Sequence, residues 1–595
     1  MEPTHRTHGL RRSAALVAVA AAAALALPAA ANAAVTGAVT GDTATLTGDG
    51  AADTITISVN GANLQHDLAG FNSNIDFDSA QAGDQTLTAA AGRLTIDGGA
   101  GDDTIVGGPN DDTIAGGLNL DALDGGNGDD RLTGGPNNSA DSEQINGGGG
   151  NDVMVWNNGD GNDINDGGDG GGDETQFNNG AADDQMNVSP LAGGAHRFNR
   201  TGGNIIIDIA ASTERLNINA FSGADSLTSA AGAIIPTTID AGPGSDTVTT
   251  GGGADLIQGG TGVDTLNGGA GGDRILGNPG NDVMNGNAGD DTLVWNNGDG
   301  NDQMNGEDGL DRIENNLGAA DDVSTLSVLN GKVRYARTNA PFTLDVASSE
   351  LFELNTFGGN HTLDTGPGLG ALIAVVADAG SGDDRFTGGD EADTFFGGLG
   401  NDTLDPGVGA GDVVDGQDGD DRLNVRDNFA DLARGGAGAD TAEADIADVL
   451  VGVETQLVPA GPPAPPAPGA DTKGTAARVL NRRITSKLKR GVYTAKIRVQ
   501  CPASEAGGCV RGTLVLQTAR TVSLGGTKFR AVVASKRYTL RRAQRKTLSL
   551  RLPKGIRSSR LSRRGTLSLN AITTNRDAAG NLAQRTTRIA VKLVR

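Results

Sequence analysis

The chain has 595 residues, of which 94 are glycine and only 3% are aromatic, so a large globular core packed around aromatic rings is excluded. The formal net charge is −27 at pH 7 and is unevenly distributed. From Thr472 onward there are 30 lysines and arginines and two acidic residues, which gives this part +28 and leaves −55 for the rest. Such asymmetry predicts two regions with different partners.

The first 33 residues are typical of a signal peptide. Arg6, Arg11 and Arg12 precede an apolar run from Ala14 to Leu27, and the small residues that follow offer a cleavage site after Ala33. The apolar run is too short to cross a membrane, so we expect cleavage and export, not anchoring. The adjacent arginines leave the Sec and the twin-arginine export routes both open. No later segment is apolar enough to span a membrane.

Residues 34–458 form an acidic region, and most of it repeats a nine-residue pattern. Up to Ser79, Thr, Val and Ile alternate with Asp and Gly, which predicts short strands and tight turns. From Ala241 to Val294, six successive nonapeptides have Gly at position four, Asp at position six and an apolar residue at position eight. Related units form three blocks, at about 98–174, 241–314 and 379–443. A fixed short period predicts a solenoid whose coils bury their apolar residues by stacking.

A longer repeat contains the short one. The eight letters WNNGDGND occur at Trp156 and again at Trp295, 139 residues later, and the residues that follow are alike in both copies. These insert segments alternate like strands, and we expect them to add wider coils or a flanking sheet to the solenoid. One unit of the first block has four extra residues and places Glu143 where Asp is expected. Turns at the block ends are expected to lack one stacked neighbour.

The unit GGTGVDTLN, at residues 259–267, matches the pattern G-G-x-G-x-D-x-U-x and resembles the RTX (haemolysin-type) calcium-binding proteins. The resemblance extends over roughly 35–458. It implies a parallel β-roll in which two nonapeptides make one coil. It also implies Ca²⁺ ions between stacked turns, held by position-six carboxylates and carbonyl oxygens of the glycine turns. The metal ligands that it implies are Asp103, Asp112, Asp121, Asp130, Asp152, Asp163, Asp246, Asp255, Asp264, Asp273, Asp282, Asp291, Asp302, Asp311, Asp384, Asp393, Asp402, Asp421 and Asp440.

Electrostatics favours a bound cation independently of the resemblance. In the sequence Asp-x-apolar, both side chains point to the same face of a strand, and we place the Asp at the edge of the turn, where the chain leaves the strand. Ionised carboxylates at the ~4.8 Å spacing of neighbouring strands repel each other by about 1 kcal/mol in water and several times more near a protein surface. Calcium accepts six to eight oxygen ligands in flexible geometry, whereas magnesium demands a tight octahedron. The repeat turns hold no His or Cys, which disfavours zinc and copper.

Two further expectations concern how ions and folding are linked. The acidic region should be expanded without calcium and fold as ions bind, because the free energy of binding is then free energy of folding. The less regular turns near Asp421 and Asp440 are expected to hold ions less readily. The alternative of a disordered glycine-rich linker is contradicted by the regular apolar residue at position eight. The other alternative is a β-solenoid whose Gly-Asp turns bind no metal, but metal-free solenoids usually stack Asn or apolar ladders and not Asp.

A Pro/Ala-rich linker at 459–471 separates the acidic region from the basic one at 472–595. The alternating segments of the basic region predict about seven antiparallel strands, and the end of the chain resembles the final hairpin of bacterial Ig-like domains. Cys501 and Cys509 predict a local disulfide. The positive charge predicts binding of an anionic cell-wall or extracellular polymer, although a solvated sheet face has the same pattern. Nucleic acid is not expected, because the chain is predicted to be exported.

The chain contains no recognisable catalytic motif. His66, His196 and His361 are isolated from one another, and neither H-E-x-x-H nor G-x-S-x-G occurs. The sequence therefore predicts an all-β, secreted, calcium-binding protein: a parallel β-roll or β-solenoid followed by an antiparallel Ig-like β-sandwich. Two alternatives stay open. One is a cell-surface adhesin that uses the basic region, and the other is a polysaccharide-active enzyme with a site in the inserts around His196 and Arg197.

Overall fold

A computed structural model describes residues 35–457 except 138–140, 202 and 391, and beyond them only separate strands between 478 and 594. The predicted signal peptide, the predicted linker and Cys501 lie outside the described residues. The signal peptide, the linker and the disulfide between Cys501 and Cys509 therefore stay predictions. In the described acidic region the regular elements are strands, apart from the short 3₁₀ helices Ala192–Gly194 and Leu369–Ala371. The all-β prediction for this region is confirmed.

The acidic region is a continuous stack of about 18 coils, each of which adds a strand to two long sheets. Thr247 pairs in parallel with Thr265, and Thr265 pairs with Val283, so the register advances by two nonapeptides per coil. The same offset occurs in the other sheet, where Leu256 pairs with Arg274. This register confirms a parallel β-solenoid with two nonapeptides per coil.

The first sheet has 19 strands, and all its neighbours pair in parallel except the first two. In order of pairing, its strands are Thr36–Thr40, Thr43–Thr47, Arg93–Asp97, Thr113–Ala115, Arg131–Thr133, Val153–Asn157, Glu174–Asn178, Arg215–Asn219, Thr237–Asp240, Leu256–Gln258, Arg274–Leu276, Thr292–Asn296, Arg312–Asn316, Leu351–Asn355, Ala374–Asp378, Thr394–Leu399, Val413–Asp418, Leu432–Ala437 and Val449–Val451.

The second sheet runs beside the first along the stack. In order of pairing, its strands are Asn63–His66, Thr54–Asn60, Thr104–Val106, Ala122–Asn127, Ser142–Gly150, Asn162–Gly170, Ile205–Ile209, His196–Arg200, Gln185–Pro190, Ser226–Ser229, Thr247–Thr249, Thr265–Asn267, Val283–Asn285, Gln303–Asn305, Phe342–Ala347, Lys332–Arg337, Val323–Leu329, Thr362–Thr365, Arg385–Thr387, Thr403–Asp405, Arg422–Asn424, Thr441–Glu443 and Thr455–Leu457. A small parallel pair, Pro243–Gly244 with Thr261–Gly262, joins two successive turns.

The core consists mainly of the position-eight residues of successive coils. In the regular block, Val248, Ile257, Leu266, Ile275 and Met284 are all at most 2% exposed. Position six is buried beside position eight, and position seven points outward, as strand alternation requires. One detail of the prediction is wrong. The Asp stands where the chain enters the strand, not where it leaves it, since each strand of this block begins one residue after its Asp.

Each insert segment is an antiparallel meander of three strands within the second sheet. In the first copy, Gln185–Pro190, His196–Arg200 and Ile205–Ile209 pair in sequence, and the outer two also pair with coil strands on either side. The second copy repeats this arrangement between 323 and 347. The inserts are therefore wider coils and not a flanking sheet. The expectation that block ends lack a stacked neighbour is wrong. The inserts continue the stack between the blocks, Thr104 of the first block pairs with Thr54, and Thr441 of the third block pairs with Thr455.

Aromatic residues fill the wider coils. Trp156 and Trp295 are buried, and each indole N–H donates to a carbonyl oxygen five residues later, at 2.9 Å and 3.0 Å. The ring of Trp295 stacks on that of Phe342 with centroids 3.9 Å apart. In the first copy, Phe177 and Phe198 stack at the same distance. The repeated WNNGDGND motif thus marks the two places where the core must widen.

The basic region contributes ten described strands: Arg478–Val479, Arg483–Lys489, Val492–Gln500, Cys509–Thr518, Val522–Leu524, Thr527–Phe529, Val532–Leu540, Arg545–Leu552, Thr566–Arg576 and Leu582–Val594. Eight of them form one sheet, and their pairings are antiparallel except that of Arg483–Lys489 with Leu582–Val594. The region is β-structured as predicted, and the Ig-like sandwich stays a prediction. Among the residues that the structure describes, no helix has the length and apolar character needed to cross a membrane.

Candidate metal centre

Acidic side chains stand at the start of successive strands and form two rows along the stack, one per sheet. All are at most 5% exposed. The first-sheet ladder consists of Asp112, Asp130, Asp152, Asp173, Asp255, Asp273, Asp291, Asp311, Asp393, Asp412 and Asp431. The second-sheet ladder consists of Asp53, Asp103, Asp121, Glu143, Asp163, Asp184, Asp225, Asp246, Asp264, Asp282, Asp302, Asp322, Asp384, Asp402, Asp421 and Asp440. Every aspartate predicted as a ligand belongs to one of the two ladders.

One carboxylate oxygen of most ladder residues has a structural role. The backbone N–H of Asp246 donates to Oδ1 of Asp264 at 2.8 Å, and the N–H of Asp264 donates to Oδ1 of Asp282 at 2.8 Å. The first-sheet ladder has the same bond between Asp255 and Asp273, at 2.9 Å. Each coil is therefore tied to the next by a buried hydrogen bond to a carboxylate. A bond to an ionised acceptor is stronger than one between neutral groups.

The second carboxylate oxygen of most ladder residues is buried and has no hydrogen-bond partner within the described part of the chain. Burial of an unpartnered carboxylate oxygen is strongly unfavourable unless an ion or a proton compensates it. Among the predicted ligands, this holds for Oδ2 of Asp103, Asp121, Asp130, Asp152, Asp163, Asp246, Asp255, Asp264, Asp273, Asp282, Asp302, Asp311, Asp384, Asp402, Asp421 and Asp440. In Asp163 and in Glu143, both carboxylate oxygens are buried and have no hydrogen-bond partner among the described residues.

Three predicted ligands need separate description. Oδ2 of Asp112 accepts from the Gly108 N–H at 2.7 Å, and Oδ2 of Asp393 accepts from the Gly389 N–H at 3.1 Å. In these two residues the turn of the same unit binds the second oxygen. Asp291 joins the first-sheet ladder through its Oδ1, which accepts from the N–H of Asp273 at 2.8 Å.

Glycine turns bring the second carboxylate oxygen next to backbone carbonyls. A Cβ on Gly259 would lie 2.6 Å from Asp264 Oδ2 and 2.7 Å from the Gly277 carbonyl oxygen, so these two oxygens converge on one small space. Gly260 has a φ of +96°, and a Cβ there would lie 2.0 Å from the Gly242 carbonyl oxygen. Only glycine tolerates this conformation and this approach without strain. The repeat pattern therefore builds sites of converging oxygen atoms.

Burial and neighbouring carboxylates raise the pKa of ladder residues from the ordinary aspartate value of 3.8. Burial is the larger cause, and it raises the pKa of Asp246, Asp282 and Asp302 to about 7 together with the repulsion of adjacent ladder carboxylates. For Asp273 the same two causes raise the pKa to about 8. Without a compensating cation, part of each ladder thus holds protons near neutral pH.

The donor set fits a hard, oxygen-seeking cation. Carboxylate oxygens without partners recur at the strand spacing of ~4.8 Å and face turn carbonyls, and Ca²⁺ accepts both ligand types in flexible numbers.

One position along the second sheet is occupied by a histidine. The N–H of His361 donates to Asp384 Oδ1 at 2.6 Å, and its Nδ1 accepts from the Asp322 N–H at 3.2 Å. His361 therefore stands in for a ladder aspartate and continues the hydrogen-bonded row.

Several ladder residues were missed from the sequence. They are Asp53, Asp173, Asp184, Asp225, Asp322, Asp412 and Asp431. In Asp53-Thr54-Ile55 and in Asp225-Ser226-Leu227 the Asp-x-apolar spacing is present, but the glycines before it depart from the nonapeptide rule. Asp412 and Asp431 fall in ten-residue units where the period slips. The spacing of Asp and apolar residue alone, without the glycines, could have found five of these residues. It could not have found Asp173 and Asp322, because Thr175 and Ser324 stand two residues after them.

The residues of the enzyme alternative lie on the middle strand of the first meander. His196 is buried, its Nδ1 has no hydrogen-bond partner among the residues that the structure describes, and burial lowers its pKa. Arg197 points to the other face and donates two hydrogen bonds to the Asp208 carboxylate, at 2.6 Å and 2.7 Å. Arg334 and Asp345 form the equivalent pair in the second meander. The arginine is thus part of a repeated cross-strand ion pair.

Comparison with known protein families agrees with the geometry. The family model described as "RTX calcium-binding nonapeptide repeat (4 copies)" matches residues 80–114, 95–121, 107–139, 238–266, 258–293 and 378–411. The matches fall in all three predicted blocks. No curated protein matches the chain.

Proposed function

The chain carries RTX calcium-binding nonapeptide repeats, and on this premise we propose that it is a secreted protein whose two carboxylate ladders bind structural Ca²⁺ ions. In this proposal, ion binding drives folding of the solenoid. The single observation that carries it is the series of buried carboxylate oxygens without hydrogen-bond partners, repeated coil after coil.

In this proposal, the two oxygens of one ladder aspartate have different roles: one accepts a backbone hydrogen bond and the other binds the ion. Oδ1 of Asp264 is fixed by the backbone of the preceding coil, and this bond orients Oδ2 toward the Gly277 carbonyl oxygen. Bound Ca²⁺ supplies positive charge that neutralises neighbouring carboxylates. The glycine turns already place their carbonyl oxygens beside the carboxylates. Once the coil has formed, ion binding therefore needs little further movement of the chain. The ladder therefore favours an ion with flexible, all-oxygen coordination over magnesium.

The proposal includes export and a separate role for the basic region. Export is supported by the signal-like segment at 1–33, and it would place the ladders in a calcium-rich medium. The net charge of +28 from Thr472 onward supports binding of an anionic cell-wall or extracellular polymer. We assign no catalytic step to this chain, and no described contact of His196 or Arg197 favours the enzyme alternative.

Calcium titration by calorimetry tests the proposal. The purified chain should bind several Ca²⁺ ions per molecule, and heat from folding should accompany binding because the two processes are coupled. Binding of a single ion, or none, in the chain from 35 to 457 would contradict the proposal.

A matched pair of variants identifies the ladder as the site. Asp264→Asn keeps an oxygen for the backbone bond but removes one charge, and the calcium midpoint of its coils should rise about tenfold because affinity follows ligand charge. Asp240 is exposed at the end of a first-sheet strand, so Asp240→Asn removes the same charge outside the ladders. Equal midpoints in both variants would exclude Asp264 as a ligand.

A further inference from the structure

A third carboxylate joins two ladder residues near the C-terminal end of the solenoid. Asp412 and Asp431 stand at the start of the first-sheet strands Val413–Asp418 and Leu432–Ala437. Asp427 belongs to neither ladder. It lies in the turn between Arg422–Asn424 and Leu432–Ala437. One carboxylate oxygen from each of these three residues lies within 4.8 Å of the other two. We call these three residues the three-carboxylate cluster.

Two members of the cluster are buried and incompletely bonded. Asp412 is 1% exposed and Asp431 is 4% exposed, and Oδ2 of each has no hydrogen-bond partner among the described residues. Oδ1 of Asp431 accepts from the N–H groups of Gly411 and Asp412, at 2.9 Å and 3.0 Å. The cluster thus contains two buried carboxylate oxygens, Oδ2 of Asp412 and Oδ2 of Asp431, that accept no hydrogen bond from the described N–H groups.

The third carboxylate is held in place by the irregular turn itself. Oδ1 of Asp427 accepts from the Phe429 N–H at 2.7 Å, and Oδ2 accepts from the Gly409 N–H at 2.8 Å. Gly409 lies one coil earlier, in the other ten-residue unit. Because both units deviate from nine residues, their turns meet and present a carboxylate that the regular repeat lacks.

Among the described residues, the arginines of these coils pair with other acids and do not neutralise the cluster. The nearby Arg426 pairs with Glu443 at 3.4 Å, and Arg434 pairs with Asp415 at 3.3 Å. Three carboxylates at this separation repel one another strongly in a partly desolvated place. A divalent cation with oxygen ligands removes this repulsion and satisfies the unpartnered oxygens.

We propose that Asp412, Asp427 and Asp431 form a Ca²⁺ site outside the regular repeat pattern, which fills at a lower calcium concentration than the nonapeptide turns. The choice of calcium rests on the proposed function, whereas the site itself rests on the convergence of three carboxylates. Affinity of oxygen sites for Ca²⁺ rises with the number of charged ligands. The cluster has three charged carboxylates, whereas two successive coils of a regular ladder bring together two.

Hydrogen exchange of the full chain, followed by mass spectrometry at buffered calcium concentrations, tests this site. Peptides that cover 407–432 should become protected at a lower calcium concentration than peptides that cover 246–291. In Asp427→Asn, the calcium midpoint of 407–432 should rise about tenfold, and that of 246–291 should stay unchanged. Asp418 is exposed in the same part of the solenoid, so Asp418→Asn is the control and should shift neither midpoint.

The outcomes separate this inference from the proposed function. If 246–291 responds to calcium but Asp427→Asn leaves the midpoint of 407–432 unchanged, the three-carboxylate site is wrong and the proposed function stands. If no segment responds to calcium, the proposed function is wrong. If the segment 407–432 of Asp427→Asn is unprotected at every calcium concentration, the variant Asp427→Glu tests the site, because it keeps the negative charge. Protection of 407–432 that again depends on calcium in this variant supports the site, and absence of protection at any calcium concentration overturns it.

Discussion

At the scale of the residue, a ladder aspartate combines a structural bond with an open ligand atom. Asp282 shows the pattern: its Oδ1 accepts from the Asp264 N–H at 2.8 Å, and its Oδ2 has no partner. A serine or asparagine could make the first contact, but neither offers a second, negatively charged oxygen. The negative charge is costly in a buried place. Its regular recurrence is therefore better explained by a cation than by backbone bonding alone.

The raised pKa values predict that acid stabilises the calcium-free solenoid. The pKa of Asp246 and Asp302 is raised to about 7, and that of Asp273 to about 8, from an ordinary value of 3.8. A folded state with the higher pKa binds protons more tightly than the unfolded chain. Its stability is therefore greatest at low pH, falls as pH rises above about 4, and reaches its minimum above the folded pKa.

Circular dichroism in chelator at pH 5 and at pH 8 measures this effect. The β signal should be larger at pH 5. With calcium present, the calcium midpoint should rise as pH falls, because protons compete for the same oxygens. A calcium-free β signal that is larger at pH 8 would contradict the ladder electrostatics.

At the scale of the element, the glycine turn decides whether a carboxylate can reach its place. A Cβ on Gly268 would lie 2.5 Å from Asp273 Oδ2. Gly268→Ala should therefore displace this oxygen and lower the free energy of unfolding by about 1–3 kcal/mol in calcium, as expected for overpacking. Gly50 has no atom within 4 Å of its Cβ position, so Gly50→Ala is the control and should change stability by less than about 0.5 kcal/mol.

Thermal unfolding in calcium compares the two glycine variants. We expect the wild type and Gly50→Ala to unfold at the same temperature, and Gly268→Ala to unfold at a lower temperature. If Gly268→Ala is as stable as Gly50→Ala and binds calcium equally well, then the close approach of turn and carboxylate has no energetic role.

The sequence predicts the regular elements well because their rule is local. Gly, Asp and the apolar residue recur within nine residues, so the spacing alone places Asp264 and Leu266 on one inward face. The wider coils are harder to predict. The strands of the inserts follow from their alternation, but their pairing within the second sheet depends on contacts between residues about 40 apart, such as the parallel pairing of Asn165 with Ile209.

The cluster around Asp427 was beyond sequence reasoning for a different physical reason. Its three carboxylates come from two irregular units, and their convergence depends on how far each ten-residue turn bulges. Once the nine-residue period slips, the facing direction of each side chain can no longer be counted along the chain. Asp412 and Asp431 were missed because their ten-residue units depart from the nonapeptide rule, although both keep the Asp-x-apolar spacing. Asp421 and Asp440, in nine-residue units, were predicted and belong to the second-sheet ladder.

At the scale of the whole molecule, the acidic region is one continuous stack with a large excess of negative charge. Its coils contact mainly their neighbours, so stability is approximately a sum of coil and interface terms. The ladders place like charges at most interfaces, and bound cations would turn these interfaces from repulsive to attractive. The account therefore predicts that calcium controls the compactness of the entire region and not only local order.

The most direct test is small-angle scattering together with circular dichroism on the full chain, first in chelator at neutral pH and then in calcium. The account predicts an expanded chain with a weak β signal in chelator, and a large gain in β signal with a decrease in the radius of gyration on addition of calcium. Magnesium at the same concentration should produce much less of either change. An equal β signal and an equal radius of gyration in chelator and in calcium would contradict the central claim.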